Sequence, residues 1–159
     1  MSVKLRLKPK TPKKINFAVK KLINSLGINK IPFYLPLTKV DYSRAGYCFN
    51  NCEEYAKNNN VSVVYGWMIW EDRKSNFIEA EFHAIINENG QYKDISPRVS
   101  NEEKILFVID GTRDSGRKEA NSWYSWTNIK MFDGIVQEEP KPLEIKEIDS
   151  DYSEIIHLS

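Results

Sequence analysis

The stretch Phe77-Ile78-Glu79-Ala80-Glu81-Phe82-His83-Ala84-Ile85-Ile86-Asn87-Glu88-Asn89-Gly90-Gln91-Tyr92-Lys93-Asp94 decides how this chain folds. Ile78, Ala80, Phe82, Ala84 and Ile86 alternate with Glu79, Glu81, His83 and Ile85. That period of two is the signature of a strand, whose successive side chains point to opposite faces. Asn89-Gly90 signals a two-residue hairpin, because both residues tolerate the positive φ such a turn demands. The turn pairs Glu88 with Gln91, and hence Ile85 with Asp94 and His83 with Ser96. In this register Asp94 and His83 share a face one diagonal apart, a separation their side chains can bridge. A slip of one residue would send Asp94 to the opposite face, so the geometry depends on the turn.

Working outward, Val61 to Trp70 is β-branched and aromatic on both faces, as a covered central strand is, and Glu71 to Asn76 follows as a charged turn. Before it, Cys48 to Lys57 has helical spacing. Phe49, Cys52 and Ala56 share one stripe, Glu53, Glu54 and Lys57 take the other side, and Asn58-Asn59-Asn60 ends the run. Thr11-Pro12 is read as the start of another helix, with Ile15, Val19, Leu22 and Leu26 recurring until Gly27. Ile28 to Leu37, with Pro32 and Pro36, is expected to be extended. Downstream, Lys104 to Ile109 reads as a buried strand, Asp110-Gly111 as a turn, and Thr127 to Phe132 as the last strand. These elements predict a small α+β domain, helices packed on an antiparallel sheet. Residues 1–136 form the expected single globular domain and 137–159 an acidic, mobile tail.

With 159 residues, 41% of them hydrophobic, the chain can bury a core without disulfide staples. Its mean hydropathy of -0.53 and its longest apolar run, Val61 to Trp70, point to a soluble protein without a membrane span. The start Met-Ser-Val-Lys-Leu-Arg-Leu-Lys lacks a secretory apolar stretch, so a cytoplasmic location is expected. Two cysteines in that compartment suggest catalysis, metal binding or burial before a disulfide. The net charge of +1 is unevenly spread: residues 1–30 carry nine Lys or Arg and no acid, and 137–159 carry seven acids. The basic arm is a candidate surface for an anionic partner, or the two ends neutralise each other.

The order Cys48, His83, Asp94 carries the chemistry. A cysteine in the first turn of a helix feels the positive end of the backbone dipole, which favours thiolate over thiol. His83 would take the thiol proton and return it to a leaving group, and Asp94 would hold the ring in the productive tautomer. Glu81, on the same strand face, competes for the third role. Cys52 lies one turn further on, along the apolar stripe, and reads as a buried small hydrophobe. Tyr47, Trp67 and Trp70 are candidate walls of a substrate groove, or core aromatics.

Gly46-Tyr47-Cys48 ahead of a helix, Val63-Val64-Tyr65-Gly66-Trp67, Phe82-His83-Ala84-Ile85 and Asp94-Ile95-Ser96-Pro97 together resemble the transglutaminase-like branch of the papain-like cysteine enzymes. The likeness spans positions 46 to 97. It implies a papain-like or transglutaminase-like α+β core with Cys48 as nucleophile, His83 as base and Asp94 as orienter. It also implies acyl transfer on a protein or peptide substrate, without a cofactor. Ile85 and Ile95-Ser96-Pro97 depart from the family's usual His-Ala-Trp and Asp-Pro-Thr. Tyr65 to Glu71 with Glu79 to Ala84 also resembles small bacterial and phage proteins to which no function attaches.

Two other classes fit the same residues. In one, the chain is a non-catalytic binding or inhibitor protein that engages a host partner through its basic arm or aromatic surface, and His83 is a strand histidine paired with Glu81 on a wet face. In the other, Cys48, Cys52 and His83, with Asp94, form a tetrahedral zinc set. That set lacks the second close ligand pair of structural zinc sites. His157 and the polar run Asp110 to Asp114 read as solvated tail and loop.

Overall fold

Strand alternation and tight turns build most of the molecule. The structure, a computed structural model, describes residues 7–37, 48–59, 61–95, 103–149 and 152–158, with the backbone alone at 48–51, 58, 149 and 152–153. In chain order the elements are helix α1 (Phe17–Ser25), strand β1 (Phe33–Pro36), helix α2 (Cys48–Asn59), strand β2 (Ser62–Asp72), a 3₁₀ turn (Arg73–Ser75), and strands β3 (Phe77–Glu88) and β4 (Gln91–Lys93). Then follow β5 (Lys104–Ile109), β6 (Gly116–Glu119), β7 (Ser122–Trp126), β8 (Ile129–Phe132), β9 (Ile135–Glu138), β10 (Pro142–Asp149) and β11 (Tyr152–His157).

The expected α+β class with a papain-like or transglutaminase-like core is overturned. The chain is mostly β-structure, in two antiparallel sheets, with two α-helices among the described residues. The first sheet runs β1-β5-β2-β3-β8-β9, with β4 also on β3, and the second runs β11-β10-β7-β6. The expectation failed in the last third of the chain. Short strands rich in Glu, Lys and Ser gave little apolar alternation there, yet they pair through their backbones. The stretch expected as an acidic tail forms the end of β9, then β10 and β11. Leu143 is buried and Ile145 packs on the main core. Glu144, also buried, accepts a 2.8 Å bond from Lys118 Nζ.

The central hairpin has the register the turn demands. Glu88 pairs with Gln91, Asn87 with Tyr92 and Ile86 with Lys93, around Asn89 and Gly90 at φ +54° and +82°. On its other edge β3 pairs along its whole length with β2, placing Gly66 opposite His83. A Cβ on Gly66 would lie 2.1 Å from the Val108 carbonyl oxygen and 2.7 Å from Phe107 Cζ. Only glycine lets β5 approach so closely.

The sheet curls until the chain past β1 meets the chain past β4. Leu37, just past β1, pairs in parallel with Asp94, just past β4, and Asp94 N–H bonds Pro36 O at 3.3 Å. The rings of Phe33 and Tyr92 lie 5.1 Å apart across this closure. One apolar cluster therefore fills the inside of the curl: Leu35, Met68, Ile85, Ile105 and Phe107. The larger cluster lies outside it, where Val19, Leu22 and Ile23 of α1, its C-cap Leu26 and Cys52 of α2 pack with Trp67, Phe82 and Ala84, joined by Trp123 from the second sheet. Burying an aliphatic or aromatic side chain contributes about 1.5–3 kcal/mol, so these two clusters hold the layers together.

Helix α1 starts later than Thr11-Pro12 predicts. Lys10 is paired by two 2.8 Å backbone bonds with Glu71, and Tyr34 Oη donates to Pro12 O at 2.6 Å, which keeps this stretch extended. Asn16 is the cap instead, its side-chain oxygen accepting Val19 N–H at 3.0 Å. Pro36 sits on the edge strand β1, where a missing N–H is tolerated.

Candidate active site: a buried histidine–aspartate pair

Strand alternation turns His83 into the curl, together with Ile85 and away from Phe82 and Ala84. Its ring centroid lies 6.4 Å from that of Phe107, whose ring packs against Gly66. Nε2 of His83 lies 3.0 Å from Oδ2 of Asp94. Both residues are buried, at 2% and 0% exposure. With Asp94 ionised, its carboxylate can only accept, so Nε2 carries the proton and the neutral ring has its lone pair on Nδ1. The diagonal expected from the hairpin is thus closed by a hydrogen bond. The wet face proposed for His83 is not found: Glu81 is exposed, and Asp94 partners the buried ring.

Helix α2 lies along β3 on the outer side of the curl. Across the Asn89-Gly90 turn, Glu88 and Gln91 exchange backbone bonds, so Ile86 and Ala84, in the same alternation, direct their N–H and C=O groups to the edge away from β2. Among the described residues, β8 covers this edge at 77–80 and β4 at 86–88. The Ala84 carbonyl lies between them and accepts Cys52 Sγ–H at 3.3 Å. Further along, Tyr55 Oη donates to Glu88 Oε2 at 2.5 Å. The helix is also fixed to the second sheet: Glu53 Oε1 accepts Trp123 Nε1–H at 2.8 Å, and Glu53 Oε2 is paired with Arg117.

Cys48 is the first residue of α2, one helical turn before Cys52, as the sequence predicts. Its side chain, Tyr47 and Ser96 lie outside the described residues. Cys52 is fully buried in the outer cluster, as its place on the apolar stripe predicts. Of the two readings open for Trp67, groove wall or core aromatic, the structure has the core: it is 0% exposed, and its Nε1–H donates to Asp110 Oδ2 at 2.9 Å. Among the described residues no group of three or more His, Cys, Asp or Glu side chains is placed to hold a metal ion. Among the same residues no helix is long and apolar enough to cross a membrane.

The polar run after β5 is more than a loop. Asp110 Oδ1 accepts Thr112 N–H at 2.8 Å and Thr112 Oγ1–H at 2.6 Å, while Oδ2 accepts Trp67 and Arg113 Nη1 at 2.7 Å. The Arg113 guanidinium lies over both Trp67 and Trp126. Burial pushes the Asp110 carboxyl upward, but the bonds from Thr112, Trp67 and Arg113 outweigh it and hold the group below the usual carboxylate range. The signal for this turn was the spacing Asp110-Gly111-Thr112, an Asx turn in which an aspartate caps the N–H two residues on.

Comparison with protein-family models, with curated proteins and with solved structures finds no match for this chain. Function is therefore argued from the geometry above.

Proposed function

We propose that the chain is a cysteine-dependent acyl-transfer enzyme in which Cys48 is the nucleophile, His83 the base and Asp94 the residue that orients the ring. The observation that carries this reading is the buried 3.0 Å bond from His83 Nε2 to Asp94 Oδ2. Paired with an ionised Asp94, the ring takes the tautomer a general base needs, with its lone pair on Nδ1. Two further observations support it. Cys48 opens α2, where the helix dipole favours a thiolate. The same helix lies against the strand that carries His83, with Cys52 on the carbonyl of the next residue.

In the reaction, His83 Nδ1 takes the Cys48 thiol proton and the sulfur attacks the carbonyl carbon of an amide or thioester. The C–N or C–S bond then breaks, and the leaving group departs with the proton from His83. Water or an amine, deprotonated by the same ring, attacks the acyl-enzyme and frees Cys48. The thiol must reach round the edge of β3 between β8 and β4, since α2 lies outside the curl and His83 inside it. A p-nitrophenyl ester read at neutral pH tests the proposal. A stoichiometric burst that labels Cys48 and is lost in His83→Gln is the expected result. A burst that survives that substitution, or an unlabelled Cys48 in the folded protein, would overturn it.

A further inference from the structure

A second site, which shares no lining residue with this chemistry, lies where the basic arm meets the turn after β2. Lys10 pairs with Glu71 through its backbone, and Lys8 N–H bonds Asp72 Oδ2 at 2.9 Å. These bonds bring Lys8, Lys10 and Lys13 beside Arg73 and Lys74, about sixty positions away in sequence. The result is a groove of about 650 Å³ lined by five cations and two carboxylates. All five cations are exposed, and none is in an ion pair among the described residues. Both carboxylates are occupied from within: Glu71 is buried and accepts Asn16 Nδ2–H at 3.2 Å, and Asp72 accepts Lys8 and Ser75 N–H. With five cations against two carboxylates, the groove carries a net positive charge.

The groove continues past Arg73 into a smaller one of about 290 Å³, which shares Glu71 and Arg73 with it and is walled by Phe17. Phe17 opens α1 with 78% of its surface exposed. Lys21, one turn along the helix, reaches the far wall of this smaller groove, with Nζ 3.0 Å from the Cβ position of Gly134. Cations that track a backbone, together with an aromatic face open to solvent, are what unstacked bases and their phosphates require.

We infer that this surface binds single-stranded nucleic acid, with Lys8, Lys10, Lys13, Arg73 and Lys74 on the phosphates and Phe17 stacked under a base. A duplex keeps its bases stacked internally and offers Phe17 no partner, and an acidic peptide needs only the cations. The site is independent of Cys48, His83 and Asp94.

Fluorescence anisotropy of a labelled oligothymidylate of about 12 nucleotides, titrated with the full chain at several salt concentrations, tests it. Binding is expected to weaken with salt at a log–log slope of about −3 to −4. Arg73→Gln with Lys74→Gln, both on an exposed turn, should make that slope shallower by about 1 to 1.5. Phe17→Ala should weaken binding about 5- to 100-fold and leave the slope unchanged. No binding at low salt, or affinity indifferent to these substitutions, would overturn the inference. A polyglutamate peptide that displaces the oligonucleotide equally well in wild type and Phe17→Ala would also overturn it, and would assign the groove to an acidic protein.

Discussion

His83 and Asp94, eleven positions apart, are joined by a 3.0 Å hydrogen bond inside a curled sheet, each with almost no surface exposed. Two ionisable groups in so dry a place are costly unless paired, and removing one partner of such a pair typically costs about 3–5 kcal/mol. The curl thus holds an arrangement that stability alone does not require, since apolar side chains of similar volume would fill the space as well.

Asp94→Asn is expected to keep the fold, because the amide has nearly the carboxylate's shape and its nitrogen can still hydrogen-bond the ring, as a donor. Offered the NH₂ group, His83 would flip to the tautomer protonated at Nδ1 and lose its lone pair there. Acylation of Cys48 by a p-nitrophenyl ester should fall about 10³- to 10⁴-fold, with the tautomer change visible in the ring ¹⁵N shifts.

The two cysteines should separate cleanly. Iodoacetamide is expected to label Cys48 below pH 7 and to leave Cys52 untouched until the protein unfolds, because Cys52 is buried on the Ala84 carbonyl. Cys52→Ala should leave the labelling rate unchanged and cost about 1 kcal/mol in urea unfolding.

Gly66→Ala is expected to be among the most damaging single-methyl additions in the chain. The new Cβ would meet the Val108 carbonyl and the Ile109 Cα, backbone atoms of a paired strand that cannot move aside. A loss of about 3 kcal/mol or more is expected in urea unfolding, with the His83 ring environment altered as β5 shifts.

Asp110 supplies a pH signature. Its folded-state carboxyl lies below the usual range, so its contribution is fully present above the unfolded value of about 3.9 and is lost as pH falls through the lower folded value. Asp110→Asn should therefore be less stable than wild type at pH 7. Urea midpoints measured downward from pH 5 should converge below about pH 4.

The central hairpin was legible in the sequence because its information is local. Period-two alternation set the two faces of β3, Asn89-Gly90 set the register, and together they put Asp94 on the diagonal of His83. β2, β5 and β8 were legible for the same reason, as was the opening of α2 at Cys48. Asp133-Gly134, also at positive φ, carries the same hairpin signal between β8 and β9. β10 and β11 were hidden by their acids. Their pairing is a backbone property, and the charge of the exposed side chains says little about it.

By itself, then, the sequence determined the strand pattern, the turn and the face shared by His83 and Asp94, since neighbours along the chain impose these through sterics and alternation. Only the tertiary structure decided that the sheet curls to seat Leu37 beside Asp94, that Trp67 is core, that the acidic end completes a second sheet, and that Arg73 and Lys74 join the N-terminal lysines in one groove. Those outcomes depend on contacts between segments tens of residues apart, whose free energies are settled by packing and desolvation once the whole chain has collapsed.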